Sequence, residues 1–337
     1  MKRIKLRFAG LEVEFTDRDR GVQQVLEWAD RGSRFPVVVF GPEGCGKTAW
    51  LKQAAELLRE KGYHVVYVNP LQKEFLAHTD AKEVAKALAE AAFKVSGVGA
   101  ELAYAAFNAA RELVKLKRKN VAVLVDDAFQ ALGSEKEAAL YVKSLLGLIE
   151  YPPESYERIV AIAVTSEGLS RREIGRHLWA TLMPVWNMPR EGFEKLYEQI
   201  PGPKLDIEEA WRLTGGNPRV LAQLHEAKWD ANEIISQLAK AKNVTAGFAT
   251  KWRRLLQEAV EDPDALWSAE AEELANELEA RNLIVYNMYD RESWLWIDEP
   301  PPEKDLELGI GRRVAWQTPL HREAVRKALE EVERFQL

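Results

Sequence analysis

One octapeptide concentrates the chemistry open to this chain: Gly41-Pro-Glu-Gly-Cys-Gly46-Lys47-Thr48. It satisfies the pattern G-x-x-x-x-G-K-[ST] in full. Gly41, Gly44 and Gly46 allow the backbone to curl until consecutive N–H groups point inward at phosphate oxygens. A helix starting near Lys47 adds its positive dipole end at the same place. Lys47 is then expected to neutralise the β- and γ-phosphates of a nucleotide, and the Thr48 hydroxyl to ligate Mg2+. The expected contact surface also takes in Pro42, Glu43, Cys45 and Ala49, with Cys45 a passive occupant of a variable position.

A second constellation lies about 80 residues downstream, where Val121-Ala-Val-Leu-Val125 runs into Asp126-Asp127. A buried strand that ends in two carboxylates delivers them to the sheet edge where ligands collect. Asp126 is expected to hold Mg2+ through water beside Thr48, and Asp127 to polarise an attacking water as general base. An N-cap role before Ala128 is the structural alternative for Asp127. The apolar run Ile159–Val164 ends in Thr165-Ser166, a position that either senses a γ-phosphate or caps the next helix. Arg171, Arg172 and Arg176 follow on a helix, one of them a candidate to stabilise charge in the transition state.

These residues need a scaffold, and the hydrophobic pattern supplies one. The runs Phe35–Phe40, Tyr63–Val68, Val121–Val125 and Ile159–Val164 are short, apolar and rich in β-branched residues, as strands buried on both faces are. Helical spacing separates them: Lys47 to Lys61 stopped by Gly62, two Ala-rich helices over 80–118 divided at Ser96–Gly99, and Ala128 to Glu150. Alternating strands and helices predict an α/β three-layer core with a parallel sheet. A β-hairpin (Ile4–Phe8, Leu11–Phe15, turned at Ala9-Gly10) precedes it, and Pro184–Met188 is expected as a last strand. Helices dominate afterwards, one starting at an Asp206/Glu209 capping box and others continuing over 251–283. The end of the chain reads as a β-wing, Ser293–Ile297 with Arg313–Trp316, followed by a helix over Leu320–Phe335.

Composition bounds the function. The chain of 337 residues is 47% hydrophobic and 30% charged, which suits two or three globular domains and excludes disorder or low complexity. No apolar run approaches the ~20 residues of a membrane span. The opening Met1–Gly10 is too broken for a signal peptide, one cysteine excludes a disulfide framework, and five scattered histidines show no zinc spacing. The expectation is a soluble, cytoplasmic protein, and the Glu/Lys/Arg-rich composition hints at a thermophile. Residues 251–337 hold 12 Lys and Arg against 20 Asp and Glu, a net −8, while the other 250 residues are near neutral at +2. The basic cluster Lys115, Lys117, Arg118 and Lys119 reads as a solvated helix C-terminus, and the eleven tryptophans as packing.

With these pieces in place the chain resembles the archaeal ATPase family, of the signal-transducing branch of P-loop NTPases close to the AAA+ enzymes. Four segments carry the resemblance: Phe15-Thr-Asp-Arg-Asp19, Gly41–Thr48, Val121–Asp127 and Thr214-Gly-Gly-Asn-Pro-Arg219. The resemblance implies that Asp17 and Arg18 lie on the adenine side of bound ATP or ADP. It also implies that Pro218 of a helical lid rests on the adenine. Arg219 could then reach a phosphate when the lid closes. Asn217 as N-cap and Pro218 in the first turn independently predict a helix start there. Asp126-Asp127 stands where the family more often has Asp-Glu. Thr165-Ser-Glu167 replaces its usual Ser-Arg, so the sensing arginine is sought at 171, 172 or 176.

The implied organisation is a P-loop ATPase core over 1–188, a helical lid over 189–246 and a winged-helix-like domain over 247–337. In a DNA reader the helix before the wing carries cations. Here the predicted helix Ser268–Leu283 carries Glu270, Glu272, Glu273, Glu277 and Glu279, which disfavours DNA and favours a protein partner or a second copy of the chain. The expected activity is Mg2+-dependent ATP hydrolysis coupled to lid and tail motion. Alternatives are a nucleotide-gated scaffold with little hydrolysis, or a DNA-handling ATPase resembling origin-recognition proteins.

Overall fold

Why the apolar runs become a sheet is visible in which residues they bury. The structure, a computed structural model, describes residues 2–93, 99–166 and 169–335. In chain order its elements begin with strands β1 (Lys5–Phe8) and β2 (Leu11–Glu14), helix α1 (Asp19–Arg31), β3 (Val37–Phe40), α2 (Lys47–Glu60), β4 (His64–Asn69) and β5 (Glu74–His78). Next come α3 (Lys82–Phe93), α4 (Ala100–Lys115), β6 (Asn120–Asp126), α5 (Ala128–Ala131), α6 (Glu135–Glu150), β7 (Arg158–Thr165), α7 (Leu169–Gly175) and β8 (Thr181–Pro184). Then follow α8 (Arg190–Glu198), α9 (Ile207–Thr214), α10 (Pro218–Glu226), α11 (Ala231–Ala241), α12 (Ala246–Lys251), α13 (Arg253–Glu261), α14 (Glu272–Ala280), β9 (Ile284–Tyr286), β10 (Val314–Trp316) and α15 (Pro319–Phe335).

The chain divides into two compact units, the first comprising 1–4, 18–40 and 47–184 and the second 5–17, 41–46 and 185–337. In the first, strands pair in the order β5-β4-β6-β7-β3-β8. Five are parallel, with registers such as Val66 to Val123 and Val125 to Ala163. Val66, Val68, Val121, Val123, Val125 and Ala161 share one core with α3, α4 and α6. Residues of the other parity, Val65, Ala122, Leu124, Val160 and Ile162, are equally buried, and α1 and α2 pack there. Both faces are covered, which is why no strand shows alternation. The expected three-layer α/β core is thus formed.

Three details differ from the sequence reading. The sheet is mixed, because Glu74–His78 pairs antiparallel with β4 as a partly exposed edge strand. The strand beyond β3 is Thr181–Pro184, anchored by Thr181 N–H donating to Pro36 O, so it starts before the expected Pro184–Met188. The long helix after Ala128 is broken at Gly133, and Ser134 caps a fresh start at Glu135. Of the divider expected between the two Ala-rich helices, Ser96–Val98 lie outside the described residues, as does Glu167.

In the second unit the hairpin β1–β2 turns at Ala9 and Gly10, both at positive φ, as predicted. Its Val13 packs with Met188, Phe193, Tyr197 and Leu221. Asp206 and Asn217 cap α9 and α10 through side-chain acceptors, with Pro218 in the first turn. The terminal strand pair is β9 with β10. Ser293–Ile297 is no strand: Ser293–Leu295 forms a single 3-10 turn, and Trp296 turns inward to donate its indole N–H to Asp290 O. The exposed Trp294 and buried Trp296 imitate strand alternation, but among the described residues the segment pairs only through a single bridge from Ile297 to Val185. The expected Ser268–Leu283 helix is shorter, a 3-10 turn at Ala269–Ala271 leading into α14. Among the described residues no helix is long and apolar enough to cross a membrane.

Candidate functional site

At the carboxyl edge of the first unit's sheet, β6 ends in Asp126, whose side chain is fully buried. Two donors from the neighbouring strand reach one of its oxygens. Tyr67 Oη and Asn69 Nδ2 each donate to Asp126 Oδ2 at 3.1 Å. The Asn69 amide is itself oriented, because its Oδ1 accepts the Gln72 N–H at 3.0 Å. Asp126 Oδ1 accepts no hydrogen bond. Burial, and then the adjacent Asp127 charge, push the Asp126 carboxyl up to about 6, while Thr48, Tyr67 and Asn69 favour its charged form. Burial and the Asp126 charge in turn raise the Tyr67 phenol far above its usual range, so it remains a donor.

This arrangement fits a small hard cation. A buried carboxylate oxygen without a donor of its own, beside a threonine hydroxyl in the first turn of a helix, offers two oxygen ligands and a negative charge that burial leaves poorly solvated. Among the described residues no group of three or more His, Cys, Asp or Glu stands ready to hold a metal. Mg2+ suits such a sparse site because it keeps several waters and takes its other ligands from substrate phosphates.

Lys47 opens α2 and is buried, 5% exposed. Asp127 follows Asp126 in the left-handed conformation (φ 48°) and makes no side-chain cap bond to the short helix it precedes. The capping alternative does not describe its side chain. Thr165, fully buried, ends β7 in register with Phe40. Arg171, 8% exposed, lays its guanidinium over the Phe40 ring at 4.9 Å. Arg172 is exposed, and Arg176 is exposed and paired with Glu173 at 2.7 Å. Of the three arginines, Arg171 alone is buried at the end of β3.

The glycine-rich loop 41–46 belongs with the second unit. Gly44 and Gly46 adopt φ of +80° and +98°, and Cys45 N–H closes a turn onto Pro42 O at 3.3 Å. A β-carbon on Gly44 would lie 2.4 Å from Arg219 Cβ, so glycine is required where α10 begins. Around this loop the second unit builds a polar network. Asn217 Nδ2 donates to Glu43 O at 2.9 Å and to Asn187 Oδ1 at 2.8 Å. Glu43 N–H donates to Gln317 Oε1 at 2.7 Å. The Glu43 carboxylate takes Arg219 at 2.6 Å on one oxygen and Lys242 at 2.7 Å on the other. Burial alone would raise Glu43, but Lys242 and then Arg219 outweigh it and hold the carboxyl below its usual range.

Pro218 Cγ stands 4.0 Å from where a β-carbon on Gly46 would be, so the proline borders the loop. Asp17 presses its carboxylate against Gly192 in the first turn of α8. Arg18, the N-cap of α1, is 3% exposed. Pro42, Cys45 and Ala49 complete the expected surface, with Cys45 fully buried. The structure therefore brings Lys47, Thr48, Asp126 and Asp127 into one unit, and Gly44, Glu43, Pro218 and Arg219 into the other.

Sequence reasoning missed Tyr67, Asn69, Asn187, Lys242 and Gln317. For the first two a signal existed: Tyr67 and Asn69 are polar residues at i, i+2 in the last turn of an otherwise aliphatic buried strand. The other three lie far apart in sequence, and only their convergence on residue 43 or 217 distinguishes them.

The model of an ATPase domain predominantly from Archaea matches residues 15–224. Among curated proteins nothing matches significantly. Similar solved structures include the Aeropyrum pernix ORC1 protein in complex with DNA, at 14% identity and a TM-score of 0.41, covering 95% of this chain and 94% of that one. The Aeropyrum pernix ORC2 protein in its ADPNP-ADP complexes is similar at 12% identity and TM-score 0.43, over 95% and 93%. AMPPCP-bound DnaA from Aquifex aeolicus is similar at 14% identity and TM-score 0.40, over 93% and 87%. Because the family match takes in the glycine-rich loop, Asp126-Asp127 and Pro218-Arg219 and spans well over half of the sequence, the chain belongs to the family of ATPase domains found predominantly in Archaea.

Proposed function

We propose that this protein is a Mg2+-dependent ATPase whose hydrolysis is coupled to rearrangement of its C-terminal helices. The observation that carries the reading is the buried Asp126, one oxygen without a donor, beside Thr48 and next in chemistry to Lys47. Thr48 and Asp126 would hold Mg2+, which when bound neutralises phosphate charge and orients the γ-phosphoryl group. The amides of 44–48 cradle the phosphates, and Lys47 balances their charge. Asp127 accepts a proton from the attacking water, Thr165 positions that water, and Arg171 offsets charge developing on the leaving oxygen.

Glu43 supports the coupling. Its carboxylate pairs with Arg219 in the first turn of α10 and with Lys242 at the end of α11, so a change at the glycine-rich loop acts on two helices of the second unit. We read 1–188 as the ATPase core, 189–246 as a helical lid and 247–337 as a winged-helix-like domain, supported by the order of helices, the β9–β10 pair and α15. The exposed acidic start of α14 favours a protein partner or a second copy over a nucleic acid. A cytoplasmic setting agrees with a single cysteine, which permits no disulfide within the chain.

Replacement of Lys47 by Ala tests the assignment. Phosphate release from ATP with Mg2+ is expected to fall by about 100-fold or more; wild-type turnover in K47A would remove the site. A scaffold with little hydrolysis is favoured by one feature, the short Asp127 at the position of the general base. The same assay in single-turnover form decides it: bound ATP that persists for hours marks the scaffold.

A further inference from the structure

We infer that Tyr67 and Asn69 are positioning residues for the divalent cation, and that they set its identity by leaving Asp126 a single oxygen with which to take it. The inference rests on the metal site proposed above. Both donors converge on Asp126 Oδ2, at 3.1 Å each, from residues i and i+2 on one face of β4. If these donors served only to satisfy a buried carboxylate, the economical arrangement would share them between its two oxygens. Instead Oδ2 receives both and Oδ1 none, in a side chain with no solvent exposure. Leaving that oxygen bare is costly unless something else binds it.

The clamp is rigid in both parts. Tyr67 is 1% exposed with its ring under Lys52 Nζ, and the Asn69 amide is fixed by the Gln72 N–H. The carboxylate cannot rotate to offer both oxygens together without surrendering two hydrogen bonds. A cation that needs one oxygen, directly or through a bound water, in a tight octahedron is therefore accepted. Mg2+ is of that kind, whereas Ca2+ gains from bidentate carboxylates and a larger, looser shell. Tyr67 and Asn69 thus favour Mg2+ over Ca2+ without touching either ion.

The test measures ADP affinity calorimetrically in EDTA, Mg2+ and Ca2+ for the wild type, Tyr67→Phe, Asn69→Ala and the double variant. In the wild type Mg2+ is expected to strengthen ADP binding more than Ca2+ does. In the double variant the Mg2+ enhancement is expected to drop about tenfold, with Ca2+ enhancement retained and affinity in EDTA unchanged. Loss of packing alone would weaken all three equally, and that result overturns the inference. So does a Mg2+-to-Ca2+ ratio that stays at the wild-type value in a folded double variant. If the double variant fails to fold, Tyr67→Phe, which deletes one oxygen and keeps the ring, is read by the same ratio. A wild type whose ADP affinity ignores Mg2+ overturns the metal site itself and this inference with it; an enhancement that survives in the variants overturns this inference alone.

Discussion

His321 illustrates how burial writes a pH dependence into one residue. It is wholly enclosed in the second unit, its Nδ1 paired with the Thr318 hydroxyl at 2.8 Å. Burial, and then the charge of Lys242, push its pKa down to about 3, so the folded protein holds a neutral ring. The unfolded chain binds a proton near pH 6.5 and the folded one does not. Stability linked to this ring is therefore complete above pH 6.5 and is lost as the pH falls toward the folded value. Between pH 7 and pH 5 the loss should be about 2 kcal/mol. Urea unfolding of wild type and His321→Asn over that range checks it: the variant should show a flatter slope, and parallel slopes would assign the ring a different environment.

Asp264 shows the same economy in an element. It sits in the 3-10 turn after α13 and gathers three consecutive amides, from Arg312 at 2.7 Å, Arg313 at 2.8 Å and Val314 at 3.0 Å. Burial would raise this carboxyl, but those amides and Lys304 together hold it below its usual range. The three amides lead directly into β10, a strand of only three residues that pairs with β9 and, on its other side, bridges Ala315 to Ile310. So short a pair is marginal by itself, and Asp264 supplies the register that its few ladder bonds leave weak. Asp264→Ala should destabilise the protein by about 2–4 kcal/mol, read by chemical denaturation. Gly311 admits no side chain without a shift, since a β-carbon there would lie 2.5 Å from Asp264 Oδ1 and 2.6 Å from Val314 O.

Across the whole molecule, charge decides what large partners are admissible. The C-terminal 87 residues carry net −8. The densest basic cluster is already engaged: Lys115 with Glu112 at 2.9 Å, Arg118 with Asp80 at 2.8 Å and Lys119 with Glu157 at 2.7 Å. Cations so paired release few counterions on meeting a duplex. Fluorescence anisotropy with a labelled duplex at two salt concentrations should show no salt-sensitive binding in the low micromolar range. A steep salt dependence would favour the alternative reading, a DNA-handling ATPase.

Much of this was decided by local pattern. The glycine spacing of 41–48, the buried strands, the Asp126-Asp127 edge and the Asn217-Pro218 helix start follow from which side chains can close a turn, enter a two-faced sheet or satisfy a first helical turn. Such choices depend on neighbours within a few residues, so the order of residues suffices. The donors on Asp126, the clustering of Asn187, Asn217, Lys242 and Gln317 around Glu43, and the pairing of β10 with β9 instead of Ser293–Ile297 were settled only by the tertiary structure. Each joins residues far apart along the chain, and a hydrogen bond is specified by where two groups meet in space, which no local periodicity encodes.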